Sequence, residues 1–200
     1  MQSLQGAKTA LLIVHMQNDI ANPEGAFGGF FAEESKRNGT VEKVGSLIEI
    51  ARAAGASVDY AVIGFEPGYP ELVPNVPLLA MVKQFGAAVK GTTQTEVIAE
   101  LSPRDGELVL AHSRTSPFQD SPLDRYYRSK GIETVIVCGI ATNASVEDAA
   151  RSAANLGYRT IIASDASSAA TLAAHEATLE SFGLFGEIAT NDELQAAFAA

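Results

Sequence analysis

Three side chains that can accept, donate or lose a proton follow apolar runs of this chain. His15 follows the run TALLIV, His112 follows ELVLA, and Ser145 comes at the end of TVIVCGIATNA. A serine hydroxyl attacks a carbonyl only when a base takes its proton, and histidine, with an ordinary pKa of about 6.5, is the side chain best suited to accept it. These residue types therefore indicate a nucleophile with acid/base partners, provided that the fold brings them together.

Each of these residues also has a structural interpretation. A single histidine at a strand end is commonly a hydrogen-bonded structural residue, and Ser145 has the residue type and position of an N-cap for the helical pattern that follows it. The third histidine, His175, lies within a helical pattern, and the only cysteine, Cys138, lies inside an apolar run where burial should leave it unreactive. What favours a site at His15 and His112 is their position at a shared end of the predicted sheet.

The elements that must position these residues are strands and helices in alternation. Five apolar runs rich in Val and Ile lack two-residue alternation, which is typical of strands covered on both faces; they are residues 9–14, 57–63, 107–111, 134–140 and 159–164. Helical patterns occur between or after them at 40–55, 121–131 and 145–157. The alternation predicts right-handed crossovers and an α/β fold with a mostly parallel sheet, in which ligands bind at the carboxyl ends of the strands.

Two further segments are predicted to be irregular. Residues 64–95 contain four of the eight prolines and are interpreted as a loop-rich excursion that covers the pocket or contacts another subunit. The stretch GGFF at 28–31 is also expected in an exposed loop. The glycine-rich GAFGGF at 25–30 does not open a helix after a strand, so it does not predict a nucleotide site.

Composition excludes several classes of partner. The chain has 200 residues, of which 46% are hydrophobic and 19% charged, and this predicts one globular domain spanning 1–200. Its 14 Lys and Arg against 24 Asp and Glu give a formal charge of −10, which repels a nucleic-acid backbone. With a single cysteine, no signal-peptide pattern and no long apolar segment, we expect a cytoplasmic protein without a membrane partner.

Longer motifs carry a resemblance to a known family. ALLIVHMQNDI followed by GAFG, then HSRTSPFQDSPLD, then GIATNASVEDAARSAANLGYRTIIASDASSA, resemble the isochorismatase-like hydrolases, also called the cysteine hydrolase superfamily, across residues 8 to 190. The resemblance implies a three-layer α/β/α fold, cleavage of small amides or of a vinyl ether, and assembly as a homodimer or homotetramer. We expect a small-molecule substrate and no cofactor.

The catalytic positions depart from that family pattern. The resemblance places an aspartate, a lysine and a cysteine where this chain has His15, His112 and Ser145. It also implies a cis peptide before Ala141, with the backbone N–H groups of Ala141 and Ser145 forming an oxyanion hole. Further positions match the rest of the motif, and those expected to bind an oxyanion or the substrate, besides Ala141, are Asn143, Arg114, Phe118 and Asp19. Arg114 is the candidate partner for a substrate carboxylate.

Three hypotheses follow from the altered site. In the first, Ser145 is the nucleophile of a hydrolase, His15 is the base and His112 is an acid or oxyanion donor, with the roles of the two imidazoles exchangeable. In the second, the histidines catalyse non-covalent acid/base hydrolysis, elimination or isomerisation of a small ring compound, and Ser145 only forms a hydrogen bond to that substrate. In the third, the protein binds a ligand without catalysis.

A metal site is not expected. The region after the second predicted strand has Glu66 and Glu71 but no histidine, and His15 and His112 with Asp19 as the nearest carboxylate make a poor zinc ligand set.

Overall fold

One six-stranded parallel sheet forms the centre of the protein. The computed structural model describes all 200 residues, and the strand order is β3-β2-β1-β4-β5-β6 with every neighbouring pair parallel. The strands are β1 Thr9–Val14, β2 Ser57–Ile63, β3 Leu108–His112, β4 Thr134–Ile140, β5 Arg159–Ser168 and β6 Glu187–Ala189. The predicted α/β fold is confirmed, and the sheet is wholly rather than mostly parallel.

Helices cover both faces of this sheet. They are α1 Asn18–Ala21, α2 Gly28–Asn38, α3 Thr40–Ala53, α4 Pro77–Phe85, α5 Leu123–Ser129, α6 Glu147–Asn155, α7 Leu172–Phe182 and α8 Asn191–Ala199. Side chains from α3 and α8 pack into a core on one face, whereas α5, α6 and α7 contribute to a second core on the other face. None of these helices combines the length and the apolar composition that a bilayer-spanning segment requires.

The strand β1 shows why the apolar runs lack alternation. All six of its residues are buried. Leu11 and Ile13 belong to the first core, while Leu12 and Val14 belong to the second. Because successive side chains of a strand point to opposite faces, a strand with a core on each side must be apolar at every position. The same reasoning applies to β4, which is buried throughout.

Two predictions about the elements were wrong, and one strand was not predicted. β5 runs four residues beyond the predicted end, to Ser168, and the short edge strand β6 was not predicted. The stretch 28–31 is the first turn of α2 rather than a loop. Residues 64–95 are irregular over most of their length but contain α4, which has Pro77 in its first turn and is capped after Phe85 by Gly86 with φ 64°.

Candidate active site

The two histidines lie at the same end of the sheet, on strands that have only β2 between them. His15 follows β1 and His112 is the last residue of β3, and β2 lies between these strands in the sheet. The Nε2 atoms of the two rings lie 3.0 Å apart, and the rings are stacked with their centroids 5.0 Å apart. Both side chains are buried, at 4% exposure each. The shared sheet edge predicted from the sequence therefore produces a direct side-chain contact.

The backbone at His15 has an unusual conformation. Its φ of 54° lies in the left-handed region, which is uncommon for a residue with a side chain and recurs at working sites. The His15 N–H donates to the carbonyl of Ala61 on β2 at 2.9 Å. Across the sheet, a methyl group built on Gly139 would lie 2.2 Å from the carbonyl oxygen of Val14, the residue before His15. The position of His15 thus depends on a glycine in β4.

The hydrogen bonds of the pair determine which ring nitrogens carry protons. His112 Nδ1 lies 2.8 Å from the carbonyl oxygen of Arg114. A carbonyl can only accept, so a neutral His112 has its proton on Nδ1 and a lone pair on Nε2. His15 must then donate from Nε2 across the 3.0 Å contact, which leaves its Nδ1 with a lone pair. His15 Nδ1 has no hydrogen-bond partner within the protein and is free to accept a proton.

Burial keeps both rings neutral near pH 7. It is the main cause that lowers the pKa of His15 well below 6.5, and the positive charge that His112 would carry lowers it further. Burial also lowers the pKa of His112 to about 4, although its hydrogen bond to the Arg114 carbonyl acts in the opposite direction. The tautomers assigned above are those of uncharged rings, so they apply at neutral pH.

Ser145 does not cap the helix that follows it, contrary to the prediction. The N-cap of α6 is Val146, and Ser145 lies inside a π-helical turn, Thr142–Val146. Within that turn the N–H groups of Ala144 and Val146 donate to the carbonyl of Ala141 at 3.1 and 3.2 Å. The Ser145 side chain is buried and makes no hydrogen bond to another protein group. Its hydroxyl is therefore available to a ligand.

His15 and Ser145 line the same cavity, which is largely apolar. Its volume is about 50 Å³. Its other nine lining residues are hydrophobic: Ile20, Phe27, Phe31, Ile63, Leu78, Val82, Ile140, Ala141 and Ala144. Leu78 and Val82 come from α4, so segment 64–95 contributes to the wall of the cavity. His112 is not among the lining residues and contacts the site through His15.

Ala141 lines this cavity and has a backbone N–H without a partner in the protein. The peptide bond between Ile140 and Ala141 is cis, as the family resemblance implied. The Ala141 N–H donates to no acceptor within the protein, and the residue lines the cavity beside Ser145. A carbonyl oxygen placed between Ser145 and Ala141 would have a donor available.

The family assignment rests on nearly the whole length of the chain. The family model described as the isochorismatase domain matches residues 9–193. This protein belongs to the isochorismatase family. One relative, ureidoacrylate amidohydrolase RutB of Variovorax paradoxus, is 32% identical over 98% of this chain and 84% of its own length. An uncharacterised isochorismatase family protein of Bacillus subtilis, YwoC, is 29% identical over 93% of this chain and 92% of its own length.

Solved structures agree with this assignment. A cysteine hydrolase from Pseudomonas syringae pv. phaseolicola superposes with a TM-score of 0.88 at 24% identity, covering 100% of this chain and 96% of the other. N-carbamoylsarcosine amidase from Thermoplasma acidophilum superposes with a TM-score of 0.74 at 27% identity, covering 92% and 97%. The first likeness shows the fold, and together with the family match these findings support an isochorismatase-family hydrolase.

Within this isochorismatase-family chain, two of the predicted substrate-binding residues have partners elsewhere. Asp19 accepts from the backbone N–H groups of Ala26 and Ala88, at 3.3 and 2.7 Å, and so joins two loops. Arg114 pairs with the carboxylate of Asp120 at 3.2 Å. Neither residue lines the cavity. Both carboxylate oxygens of Asp19 thus accept hydrogen bonds from loop backbone, and the backbone carbonyl of Arg114 is the group that contacts His112.

The remaining two predicted binding residues also lie away from the cavity. Asn143 is exposed on the π-helical turn. Phe118 packs against Tyr127 and Tyr158 in the core on the opposite face of the sheet, with ring centroids 6.0 and 6.2 Å apart. These residues are close in sequence to Ser145 and His112, but packing determines on which side of the sheet each side chain lies.

Sequence reasoning missed several residues that build the site. Gln17 donates to the carbonyl of Ile63 at 3.0 Å and accepts from its N–H at 2.8 Å, which joins the turn after β1 to the end of β2. Leu78 and Val82 form the cavity wall contributed by α4. Their spacing of four residues on a helix is the signal that could have identified them.

His175 and Cys138 have the roles expected of structural residues. His175 Nδ1 lies 2.8 Å from the hydroxyl oxygen of Thr142, at the start of the turn that carries Ser145. Cys138 is fully buried in β4, and burial raises the pKa of its thiol. No three His, Cys, Asp or Glu side chains are grouped so that they could hold a metal ion.

Proposed function

We propose that this protein hydrolyses a small amide or ester, with Ser145 as the nucleophile and His15 as the general base. The observation that carries the proposal is that His15 and Ser145 line one cavity while the hydrogen bonds of the histidine pair leave the lone pair of His15 Nδ1 unused. The names of two relatives, ureidoacrylate amidohydrolase and N-carbamoylsarcosine amidase, support an amide as the bond that is cleaved.

The reaction would begin with transfer of the Ser145 proton to His15 Nδ1. The Ser145 oxygen then forms a bond to the substrate carbonyl carbon, and the developing oxyanion accepts a hydrogen bond from the Ala141 N–H. His15, now positively charged, returns its proton to the leaving nitrogen or oxygen as the bond to that atom breaks. A water molecule activated by His15 in the same way releases the acyl group and restores the serine.

His112 acts as a positioning residue in this scheme. Its Nε2 accepts from His15 Nε2, so it holds the His15 ring in one orientation and in the tautomer that leaves the lone pair on Nδ1. The acceptor also stabilises the charge that His15 carries after proton transfer. Since His112 Nδ1 donates its proton in a hydrogen bond to the Arg114 carbonyl and the ring is not among the cavity-lining residues, His112 does not itself serve as the acid.

One observation favours a second candidate. No hydrogen bond joins Ser145 to His15 in the structure. In this alternative His15 activates a water molecule directly, and Ser145 only donates a hydrogen bond to the substrate. The two candidates differ in whether a covalent intermediate forms on Ser145.

Mass spectrometry after rapid acid quenching separates them. With a 4-nitrophenyl ester as the probe, we expect the wild-type protein to gain one acyl group on the peptide that contains Ser145. The Ser145→Ala variant should show no such adduct and should lose about a thousandfold or more in kcat. The control is Ser167→Ala, which removes another buried hydroxyl, one that donates to the carbonyl of Ala163. Most of the activity surviving in Ser145→Ala would favour the non-covalent reaction.

A further inference from the structure

We infer that the acyl group of the substrate is apolar and uncharged, and that the cavity discriminates against carboxylates. The inference rests on the proposed function, because it concerns the group that Ser145 would attack. None of the eleven residues that line the cavity is Asp, Glu, Lys or Arg. The only polar side chains among them are His15 and Ser145, and both are assigned to the reacting bond.

An anionic acyl group would lose its hydration in this cavity without gaining a partner. Burying an ionised carboxylate is costly unless a positive charge or several hydrogen bonds compensate for it. His15 supplies no such charge at neutral pH, since burial lowers its pKa well below the ordinary value. The walls instead present side chains such as Phe31, Leu78 and Val82, which favour hydrocarbon.

Two cations near the cavity are paired with carboxylates of the protein. Arg114, the residue that the sequence suggested for a substrate carboxylate, pairs with Asp120 at 3.2 Å. Lys90 lies beside Gly64, directly after cavity residue Ile63, but its ammonium group pairs with Glu66 at 2.9 Å and with Glu71 at 3.7 Å. Neither cation is among the residues that line the cavity.

An aromatic cluster extends the apolar wall to the surface. Phe27 lines the cavity and contacts Phe85 and Phe30, with ring centroids 5.5 and 6.2 Å apart. Phe30 and Phe85 are 48% and 41% exposed. Exposed aromatic rings continuous with an apolar cavity are the surface that a hydrocarbon group would contact on its way in. This cluster is a second observation that points to the same class of substrate.

A pair of amides with the same skeleton tests the inference. 4-Methylpentanamide and succinamate have the same number of non-hydrogen atoms and differ in an isopropyl group against a carboxylate. We expect kcat/KM for ammonia release to be at least about 100-fold higher with 4-methylpentanamide, since an unpaired buried charge is strongly unfavourable. Succinamate cleaved as well as or better than the neutral amide would overturn the substrate class while leaving the hydrolase intact.

A variant that adds a cation provides a second test. Leu78 is partly exposed at the cavity wall, so Leu78→Arg can place a guanidinium there. We expect it to reduce the preference for 4-methylpentanamide at least about tenfold, because the new charge pairs with succinamate. Leu78→Met, which has an uncharged side chain of similar volume, should keep the wild-type preference. An unchanged preference in Leu78→Arg would contradict the inference.

Binding to the Ser145→Ala variant distinguishes failure of the inference from failure of the proposed function. Calorimetric titration should show 4-methylpentanamide binding more tightly than succinamate. If the neutral amide binds preferentially but the wild-type protein cleaves neither compound and does not hydrolyse the 4-nitrophenyl ester, the proposed function is wrong and the apolar cavity specificity stands. If the variant binds neither amide and the wild-type protein cleaves neither, the substrate class is wrong.

Discussion

The Nε2 atoms of His15 and His112 lie 3.0 Å apart, and the proton between them belongs to His15. This follows from the carbonyl of Arg114, which can only accept a hydrogen bond, so the proton of His112 must be on Nδ1. The Arg114 carbonyl therefore fixes the tautomer of His112, and His112 in turn fixes the tautomer of His15. The nitrogen left with an unused lone pair is His15 Nδ1.

Removing the acceptor on His112 should reduce kcat more than it changes KM. His112→Phe keeps a ring in the buried site but offers no lone pair to His15 Nε2, so His15 is no longer held in the productive tautomer. We expect kcat to fall about 10- to 100-fold with KM within about twofold, because His112 does not line the cavity. Steady-state kinetics, with urea unfolding as a check on folding, measure this. A large rise in KM with unchanged kcat would show that His112 contacts the substrate instead.

The pH profile of kcat/KM should remain on its plateau to unusually low pH. His15 accepts a proton only while it is neutral, and burial lowers its pKa well below 6.5. As pH falls, the rate should therefore decrease with a midpoint below 6.5 rather than at it. Initial rates between pH 4.5 and 8, interpreted beside the unfolding data at each pH, measure the midpoint. A midpoint at or above 6.5 would be incompatible with a desolvated base.

The same burial makes folding stability depend on pH. In the unfolded chain His112 takes up a proton near pH 6.5, whereas in the folded protein its pKa is lowered to about 4. Protonation within that interval therefore favours the unfolded state. The neutral His112 ring makes its full contribution to the free energy of unfolding above pH 6.5. That contribution, about 3 kcal/mol, is lost as the pH falls towards 4. His15 acts in the same direction.

Urea unfolding at two pH values tests this linkage. Between pH 7.5 and 5.5 the wild-type free energy of unfolding should fall by about 1 kcal/mol more than that of His112→Phe, since the variant lacks the group that titrates. The carboxylates are common to both proteins, so the comparison between them reports on His112 and on the effect of its charge on His15. Equal losses in the two proteins would mean that His112 titrates normally in the folded state.

Gly139→Ala should displace His15 as well as destabilise the fold. The added methyl would lie 2.2 Å from the Val14 carbonyl oxygen, directly before His15, and the φ of 116° disfavours a side chain. Gly157→Ala is the matched control, because its φ is 90° but nothing lies within 4 Å of the added methyl. We expect Gly157→Ala to cost about 1 kcal/mol of stability and Gly139→Ala about 2 kcal/mol more.

Activity separates the two glycine variants further. Gly139→Ala should lose most of its kcat because Val14 and His15 must shift, while Gly157→Ala should retain it. Chemical denaturation and steady-state kinetics on both variants give the comparison. Full activity in Gly139→Ala would show that β1 and β4 can separate without moving the base.

Much of the site could be predicted from short stretches of the sequence. The apolar runs predicted five of the six strands because a strand between two helical layers must be apolar on both faces. A parallel sheet then brings the residues after its strands to one edge, which is why His15, His112 and Ser145 were candidates before any coordinates. These inferences depend on local patterns and on one general rule of chain geometry.

Other features depended on contacts that no local pattern encodes. The strand order places β2 between β1 and β3 and so sets the 3.0 Å contact of the histidines. The turn Thr142–Val146 takes Ser145 out of the capping position, and packing sends Phe118 to the opposite face of the sheet from α3. Arg114 had the residue type for a substrate carboxylate, but Asp120 pairs with it.

The amino-acid sequence by itself determined the class of fold and the residue types at the site, because hydrophobic periodicity and chemical identity are local properties. Only the tertiary structure decided which histidine presents a lone pair, whether the Ser145 hydroxyl is free, and how apolar the cavity is. These depend on hydrogen-bond directions and side-chain packing between segments as far apart along the chain as His15, Leu78 and Ser145. Such contacts form only when the whole sheet and its covering helices are in place.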